Sequence, residues 1–192
     1  MSELPVIFTD LDGTLLDHDT YSAEEARLVL EKMTAKGIPV IPATSKTYSE
    51  VVEFRDSMNL THAFIVENGA ALYVPMDTDI RCPMGSKLFE GYWVREFGVK
   101  RQALCDVLEA LDMNGTYQFK SLTDMRTSEV ADVTGLDLAS AQRAQHRLYS
   151  ETLDWRDSET ALTAFSDVLT GIGFSVSPVS YTHLRAHETS VD

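Results

Sequence analysis

Val6-Ile7-Phe8-Thr9-Asp10-Leu11-Asp12-Gly13-Thr14-Leu15-Leu16 is the stretch from which the architecture follows. The apolar run Leu4 to Phe8 has the composition of a strand buried on both faces, as in a parallel sheet. It ends in two carboxylates, Asp10 and Asp12, followed by Gly13. Residues i and i+2 of an extended segment point the same way. Both carboxylates are therefore expected to face one point beyond the carboxyl end of the strand, where open α/β sheets bind ligands. Gly13 permits a sharp turn and a close approach of backbone N–H groups to a ligand.

Such a pair suits phosphoryl transfer. One carboxylate can act as a nucleophile and form an acyl phosphate. The other can protonate the leaving oxygen and then deprotonate the attacking water. Two anions facing an anionic phosphate call for a cation, and hard oxygen donors suit Mg²⁺. A strand followed by an ordinary Asp-Gly turn is the simpler alternative. The whole string D-x-D-G-T-L after a buried strand favours the catalytic reading.

Further along, Ser22 and Glu25 are spaced as a capping box, and Ala26, Val29, Leu30 and Met33 recur at helical spacing up to Gly37. Ile38 to Ala43 predicts a second buried strand, ending in Thr44-Ser45-Lys46-Thr47. Thr47 and Glu50 form another capping box, with Val51, Val52, Phe54 and Met58 on the apolar face. Ala63 to Val66 predicts a third strand, ending in Glu67-Asn68-Gly69 and leading into a hairpin, Ala70 to Val74. Alternating strands and helices give a right-handed parallel arrangement. Hydroxyls, free N–H groups and a Lys at Thr44, Ser45 and Lys46 suit a phosphate; Thr47 is read as a cap only. Asn68 is a candidate substrate contact, although turn chemistry alone would also explain it.

Pro75 to Ser86 carries Pro75, Pro83 and Gly85 without a period and reads as a linker. Beyond it, Lys100 to Leu111 is amphipathic, and Tyr117 to Leu122, Leu148 to Leu153 and Phe174 to Val179 read as strands. Arg126 to Val133, Leu138 to Arg147 and Glu159 to Leu169 read as helices, the first two separated by Gly135. The expected fold class is α/β: a partial Rossmann-like parallel-sheet core with an inserted α+β cap. The expected division is a catalytic core at 1–80, a cap at 81–179 and a non-native tail at 180–192.

Composition is that of a globular protein, 44% hydrophobic and 24% charged. A formal net charge of -14 argues against a nucleic-acid partner. No apolar run is long enough to span a membrane. The first strand starts almost at once, leaving no room for a signal peptide. Cys82 and Cys105 fit no disulfide or metal pattern. These features together predict a soluble, cytoplasmic protein.

Asp10-Leu11-Asp12-Gly13-Thr14 resembles the first motif of the haloacid dehalogenase superfamily of phosphatases. The resemblance implies Asp10 as nucleophile, Asp12 as general acid/base, and Mg²⁺ held by the Asp10 side chain and the Asp12 carbonyl. It implies a phosphate-binding hydroxyl at Thr44. Ala43-Thr44-Ser45-Lys46-Thr47, Val66-Glu67-Asn68-Gly69-Ala70, Glu129-Val130-Ala131-x-x-Thr134-Gly135-Leu136 and Arg147-x-Tyr149-Ser150-Glu151 sharpen it to the mannosyl-3-phosphoglycerate phosphatases, over roughly residues 5 to 178. Thr152 stands where that family usually has Pro. The implied substrate is a phosphorylated sugar, mannosyl-3-phosphoglycerate. Arg126, Arg147, Ser150 and Glu151 are the candidate substrate contacts from the cap. The alternatives are another sugar-phosphate phosphatase or a phosphomannomutase-like member of the superfamily.

The superfamily pattern also requires a later Lys and later metal-binding Asp residues, and no G-D-x-x-x-D follows residue 153. Ser180 to Thr189 is polar and aperiodic, and resembles translated sequencing-adapter read-through. These two observations predict that the chain is a fragment with exposed apolar surface. They also predict that the chain as written has little or no phosphatase activity, and an inactive, truncated phospholigand-binding module is the third reading.

Overall fold

The computed structural model describes residues 5–17, 23–78, 80–113, 115–179 and 183–188. The chain forms two compact units, Met1–Glu96 and Phe97–Asp192.

In the first unit, β1 (Ile7–Thr9) pairs in parallel with β2 (Val40–Pro42), with Phe8 opposite Ile41. A parallel bridge between Ala43 and Ile65 carries the order on to β3 (Phe64–Val66). This is the predicted strand order. α1 (Glu24–Ala35) connects β1 to β2, and α2 (Tyr48–Ser57) connects β2 to β3. Thr47 caps α2: its Oγ1 accepts the Glu50 N–H at 3.3 Å, while Glu50 Oε2 accepts the Thr47 N–H at 2.8 Å. That reciprocal box is the one the spacing predicts. The corresponding cap of α1, Ser22, lies outside the described residues.

The burial of β1 departs from expectation. Val6 is 50% and Phe8 62% exposed, so this strand is not covered on both faces. Among the described residues β1 has one strand partner, β2. On α1, Leu30 is buried but Val29 and Leu28 are exposed, so the covered stripe is narrower than the helical spacing suggests.

β4 (Ala71–Pro75) turns back antiparallel on β3, β6 (Tyr92–Glu96) pairs with β4, and β5 (Lys87–Phe89) pairs with β6. Because β5 and β6 return to β4, the first unit runs to Glu96 rather than ending near residue 80. α2 packs on this sheet through an aromatic cluster in which Phe64 and Tyr73 stack at 5.0 Å and Tyr48 and Tyr73 at 4.8 Å. Arg55, buried on α2, donates to the Tyr92 hydroxyl at 2.9 Å and the His62 carbonyl at 2.7 Å. Its guanidinium lies 4.6 Å from the centroid of the Phe64 ring, which stabilises the buried charge. Tyr48 donates to Glu90 Oε2 at 2.9 Å. Burial, and then that hydrogen bond, raise the Tyr48 phenol well above its ordinary pKa.

The second unit is built on an antiparallel sheet in the order β7 (Phe119–Ser121), β8 (Glu151–Trp155), β10 (His183–Glu188), β9 (Phe174–Val179). α3 (Arg101–Met113) and α6 (Glu159–Gly171) cover it through Leu104, Leu108, Leu153, Trp155, Phe165 and Leu169. α4 (Thr127–Thr134) and α5 (Leu138–Gln145) form a satellite with Leu122, Met125, Val130 and Ala141 at its centre. Gly135, at φ +74°, ends α4 in the left-handed conformation that lacks a penalty only for glycine. β10 falls inside the segment read as a foreign tail, yet it pairs with β8 on one side and β9 on the other. Strand pairing uses backbone groups that every residue carries, so a polar, aperiodic sequence does not exclude it. Among the described residues no helix is long and apolar enough to cross a membrane.

Candidate active site

The chain leaves β1 at Thr9 and turns at once. Leu11, fully buried, anchors the turn, and its carbonyl accepts the N–H groups of Thr14, Leu15 and Leu16 at 3.2, 3.1 and 2.8 Å. Gly13 sits at φ +65° and makes this winding possible. Asp10 and Asp12 therefore flank a buried Leu in a turn, not in a continuing strand. Asp10 is exposed, Leu11 buried and Asp12 half-exposed, with the Asp12 Oδ1 atom itself buried. Asp10 Oδ1 accepts the Leu11 N–H at 2.6 Å, which fixes the carboxylate.

The end of β2 supplies the next layer. Thr44 is buried, and its Oγ1 accepts the Lys46 N–H at 3.3 Å. Ser45 is half-buried beside it, at the entrance to α2. The Lys46 ammonium lies 2.9 Å from Asp12 Oδ1 and 3.8 Å from Glu50 Oε1. Asp12 Oδ1 is buried and takes no well-aligned hydrogen bond, so its contact with Lys46 is a charge–charge one. The end of β3 is tied to the same loop by main-chain bonds. Glu67 N–H donates to the Lys46 carbonyl at 3.0 Å, and Asn68 N–H to the Thr44 carbonyl at 2.9 Å. Glu67, Asn68 and Gly69 all have positive φ, at 47°, 59° and 96°. Two successive non-glycine residues there are unfavourable, and such strain persists where surrounding structure imposes it, often at functional sites. Asn68 is exposed at the rim. The ends of β1, β2 and β3 thus bring together Asp10, Asp12, Thr44, Ser45, Lys46 and Asn68. Sequence reading missed Glu50 as a neighbour of the Lys46 ammonium; its i,i+4 spacing from Lys46 was the available signal.

The cap candidates lie in the second unit and divide into two groups. Glu151 is fully buried: Arg101 Nε donates to its Oε2 at 2.6 Å, Thr123 Oγ1 donates at 2.9 Å, and the Thr152 N–H reaches Oε1 at 3.0 Å. Arg101 Nη2 also bonds Thr123 Oγ1. Arg147 is buried and donates to the buried Ser150 hydroxyl at 2.6 Å. Arg126, by contrast, has an 80% exposed side chain and stands beside Glu129 at 3.5 Å. Glu129 Oε2 accepts the Arg126 N–H, and that bond comes first among the causes holding the Glu129 carboxyl down at about 2. Arg101 and Thr123 had no sequence signal, because their partner lies 50 and 28 residues away.

Among the described residues no group of three His, Cys, Asp or Glu side chains is arranged to hold a metal ion. Mg²⁺ does not need one, since it is commonly bound by one or two carboxylates with water and substrate phosphate. The exposed Asp10 carboxylate and the Asp12 main-chain carbonyl, in one turn, are hard oxygen donors of that kind. With Lys46 against the Asp12 carboxylate, that side chain is the less available donor.

Residues 7–82 match the haloacid dehalogenase-like hydrolase family. Over 170 residues the chain is 35% identical to the glucosyl-3-phosphoglycerate/mannosyl-3-phosphoglycerate phosphatase of Methanococcoides burtonii, covering 88% of this chain and 62% of that protein. The protein of the same name from Persephonella marina is 36% identical over 149 residues, covering 76% and 53%. The chain thus spans a little over half the length of these relatives. In fold it is similar to a haloacid dehalogenase-like hydrolase from Bacteroides thetaiotaomicron, with a TM-score of 0.65 at 14% identity, covering 99% of this chain and 73% of the other.

Proposed function

We propose that this chain, whose residues 7–82 match the haloacid dehalogenase-like hydrolases, hydrolyses the phosphomonoester of a phosphorylated sugar, with mannosyl-3-phosphoglycerate as substrate. The carrying observation is the convergence of Asp10, Asp12 and Lys46 at parallel strand ends, with the Lys46 ammonium 2.9 Å from Asp12. The names of the two relatives cover both the glucosyl and the mannosyl ester, and so support a sugar-linked 3-phosphoglycerate as the substrate class.

In the first half-reaction an Asp10 carboxylate oxygen attacks phosphorus, and the bond from phosphorus to the sugar-side oxygen breaks. Asp12 delivers its proton to that departing oxygen. In the second, Asp12 takes a proton from water, the water oxygen attacks phosphorus, and the Asp10–phosphorus bond breaks to release phosphate. Thr44 and Ser45 orient the phosphate oxygens through their hydroxyls, and Lys46 supplies a point charge. The Asp10 side chain and the Asp12 carbonyl would hold Mg²⁺, which when bound neutralises charge on the transferring phosphoryl group. Asn68 meets the substrate at the rim. Arg126 is the exposed candidate donor to the sugar from the second unit, in which Arg147, Ser150 and Glu151 are buried and bonded to residues of the same unit.

The test is phosphate release, with and without Mg²⁺, from mannosyl-3-phosphoglycerate, glucosyl-3-phosphoglycerate, hexose 6-phosphates and an aryl phosphate. The largest kcat/KM is expected for mannosyl-3-phosphoglycerate. A preference for simple hexose phosphates would overturn the substrate, and no release from any of them would overturn the hydrolase reading.

A further inference from the structure

We propose that Glu50 is a positioning residue that holds the Lys46 ammonium at the mouth of the site. This rests on the phosphate-handling role given to Lys46 above. Glu50 divides its two oxygens between two tasks. Oε2 accepts both the N–H and the hydroxyl of Thr47, each at 2.8 Å. That fixes the carboxylate on the first turn of α2. Oε1 is then left 3.8 Å from Lys46 Nζ, while Asp12 Oδ1 is 2.9 Å from the same nitrogen. The Lys46 main chain is fixed independently, its N–H on Thr44 Oγ1 and its carbonyl on the Glu67 N–H. A lysine has a long stem with many rotamers, and both its side chain and that of Glu50 are largely buried here. The ammonium is suspended between two carboxylates, one of them locked by the helix cap.

The arrangement gives the cap a second purpose. A capping-box Glu that only closes the helix can be replaced by Gln, whose amide oxygen accepts the same Thr47 N–H. Gln removes the charge facing Lys46 and keeps the cap. Two opposed effects are then separable by sign. If Glu50 positions Lys46, its loss frees the ammonium, which must be re-ordered whenever phosphate binds, and affinity falls. If Glu50 is merely a nearby negative charge, its loss removes repulsion and affinity rises.

The experiment uses the full chain as wild type, Glu50→Gln and Thr47→Ala, with Lys46→Arg to assign the signal. The Lys46 ammonium is observed by a ¹H–¹⁵N correlation optimised for lysine side chains, and inorganic phosphate is titrated calorimetrically with Mg²⁺ present. The expected result is a resolved Lys46 signal in wild type that broadens or vanishes in E50Q. The phosphate Kd should rise roughly three- to tenfold, the range set by releasing part of one lysine's rotamer freedom, while the thermal midpoint is kept. T47A, which removes the hydroxyl half of the lock but keeps the main-chain N–H bond to Glu50 and the charge, should lower the thermal midpoint and weaken phosphate binding less than E50Q. An unchanged or tighter phosphate Kd in E50Q, or a Lys46 signal that persists there, would overturn the proposal. If no substrate is turned over while these shifts appear, the hydrolase reading fails and the positioning role stands.

Discussion

Replacing Arg101 by Met tests whether the cap's polar interior is structural. Glu151 is 0% exposed and Arg101 is its cation, at 2.5 Å, with the arginine side chain itself 26% exposed. Removing one partner of a buried pair typically costs about 3–5 kcal/mol, because a charge is left in a poorly polarisable interior. The lower end applies here: Arg101 reaches solvent, and Thr123 and the Thr152 N–H still bond Glu151. Met retains much of the arginine stem's packing. The expected loss is about 3 kcal/mol. For a cooperative block of about a hundred residues, each kcal/mol shifts the midpoint by roughly 4–8 °C, so the second unit should melt roughly 12–24 °C lower. Near-ultraviolet circular dichroism of a Trp93→Phe protein follows Trp155, which lies in that unit's core. Adding Glu151→Gln to the Arg101→Met protein should recover part of the loss, since the uncompensated charge is then gone. A loss under about 1 kcal/mol, well below the range for a broken buried pair, or no recovery in the double variant, would refute the reasoning and return Glu151 to the role of a substrate ligand.

Three further outcomes follow from the same geometry. Asp12→Asn should slow phosphorylation of the enzyme far more for an alkyl phosphate than for an activated aryl phosphate, whose leaving group needs little protonation; equal losses in stopped-flow assays would count against the acid/base role. Gly13→Ala should cost about 1 kcal/mol in denaturant unfolding, from the positive φ alone, because an added Cβ there meets no atom within 4 Å; a much larger cost would mean that the turn is packed more tightly than described. The Glu129 carboxyl is held down at about 2 from an ordinary 4.5, so the folded state favours its ionised form. That contribution is complete above pH 4.5 and disappears as pH falls toward about 2; Glu129→Gln should flatten the pH dependence of second-unit stability in that window, and an unaltered profile would contradict the assignment.

Much of the core was legible because its signals are local. The Thr47–Glu50 box, the Gly135 break between α4 and α5, and the bounds of β9 follow from capping and φ preferences written into a few adjacent residues. The order β1–β2–β3 followed from alternating apolar runs and helical stripes. What escaped depends on partners far along the chain. Val6 and Phe8 look identical in sequence whether a strand or helix covers them or not, and here they are exposed. β5 is only three residues long, Lys87-Leu88-Phe89, too short to show a period, and its apolar pair stays exposed; only pairing with β6 defines it. At the site, the motif Asp10 to Thr14 announces the carboxylates, but the contact from Lys46 to Asp12 spans two strand ends and appears only once the sheet has formed.

In the proposed reaction Asp10 carries the phosphoryl group. The most direct measurement is acid-quenched single turnover with radiolabelled mannosyl-3-phosphoglycerate and Mg²⁺, followed by peptide mapping of the labelled protein. Acid-stable, hydroxylamine-labile label is expected only in the peptide containing Asp10, appearing before free phosphate and absent from Asp10→Asn. Phosphate release with no labelled Asp10 peptide, together with turnover that survives in Asp10→Asn, would contradict it.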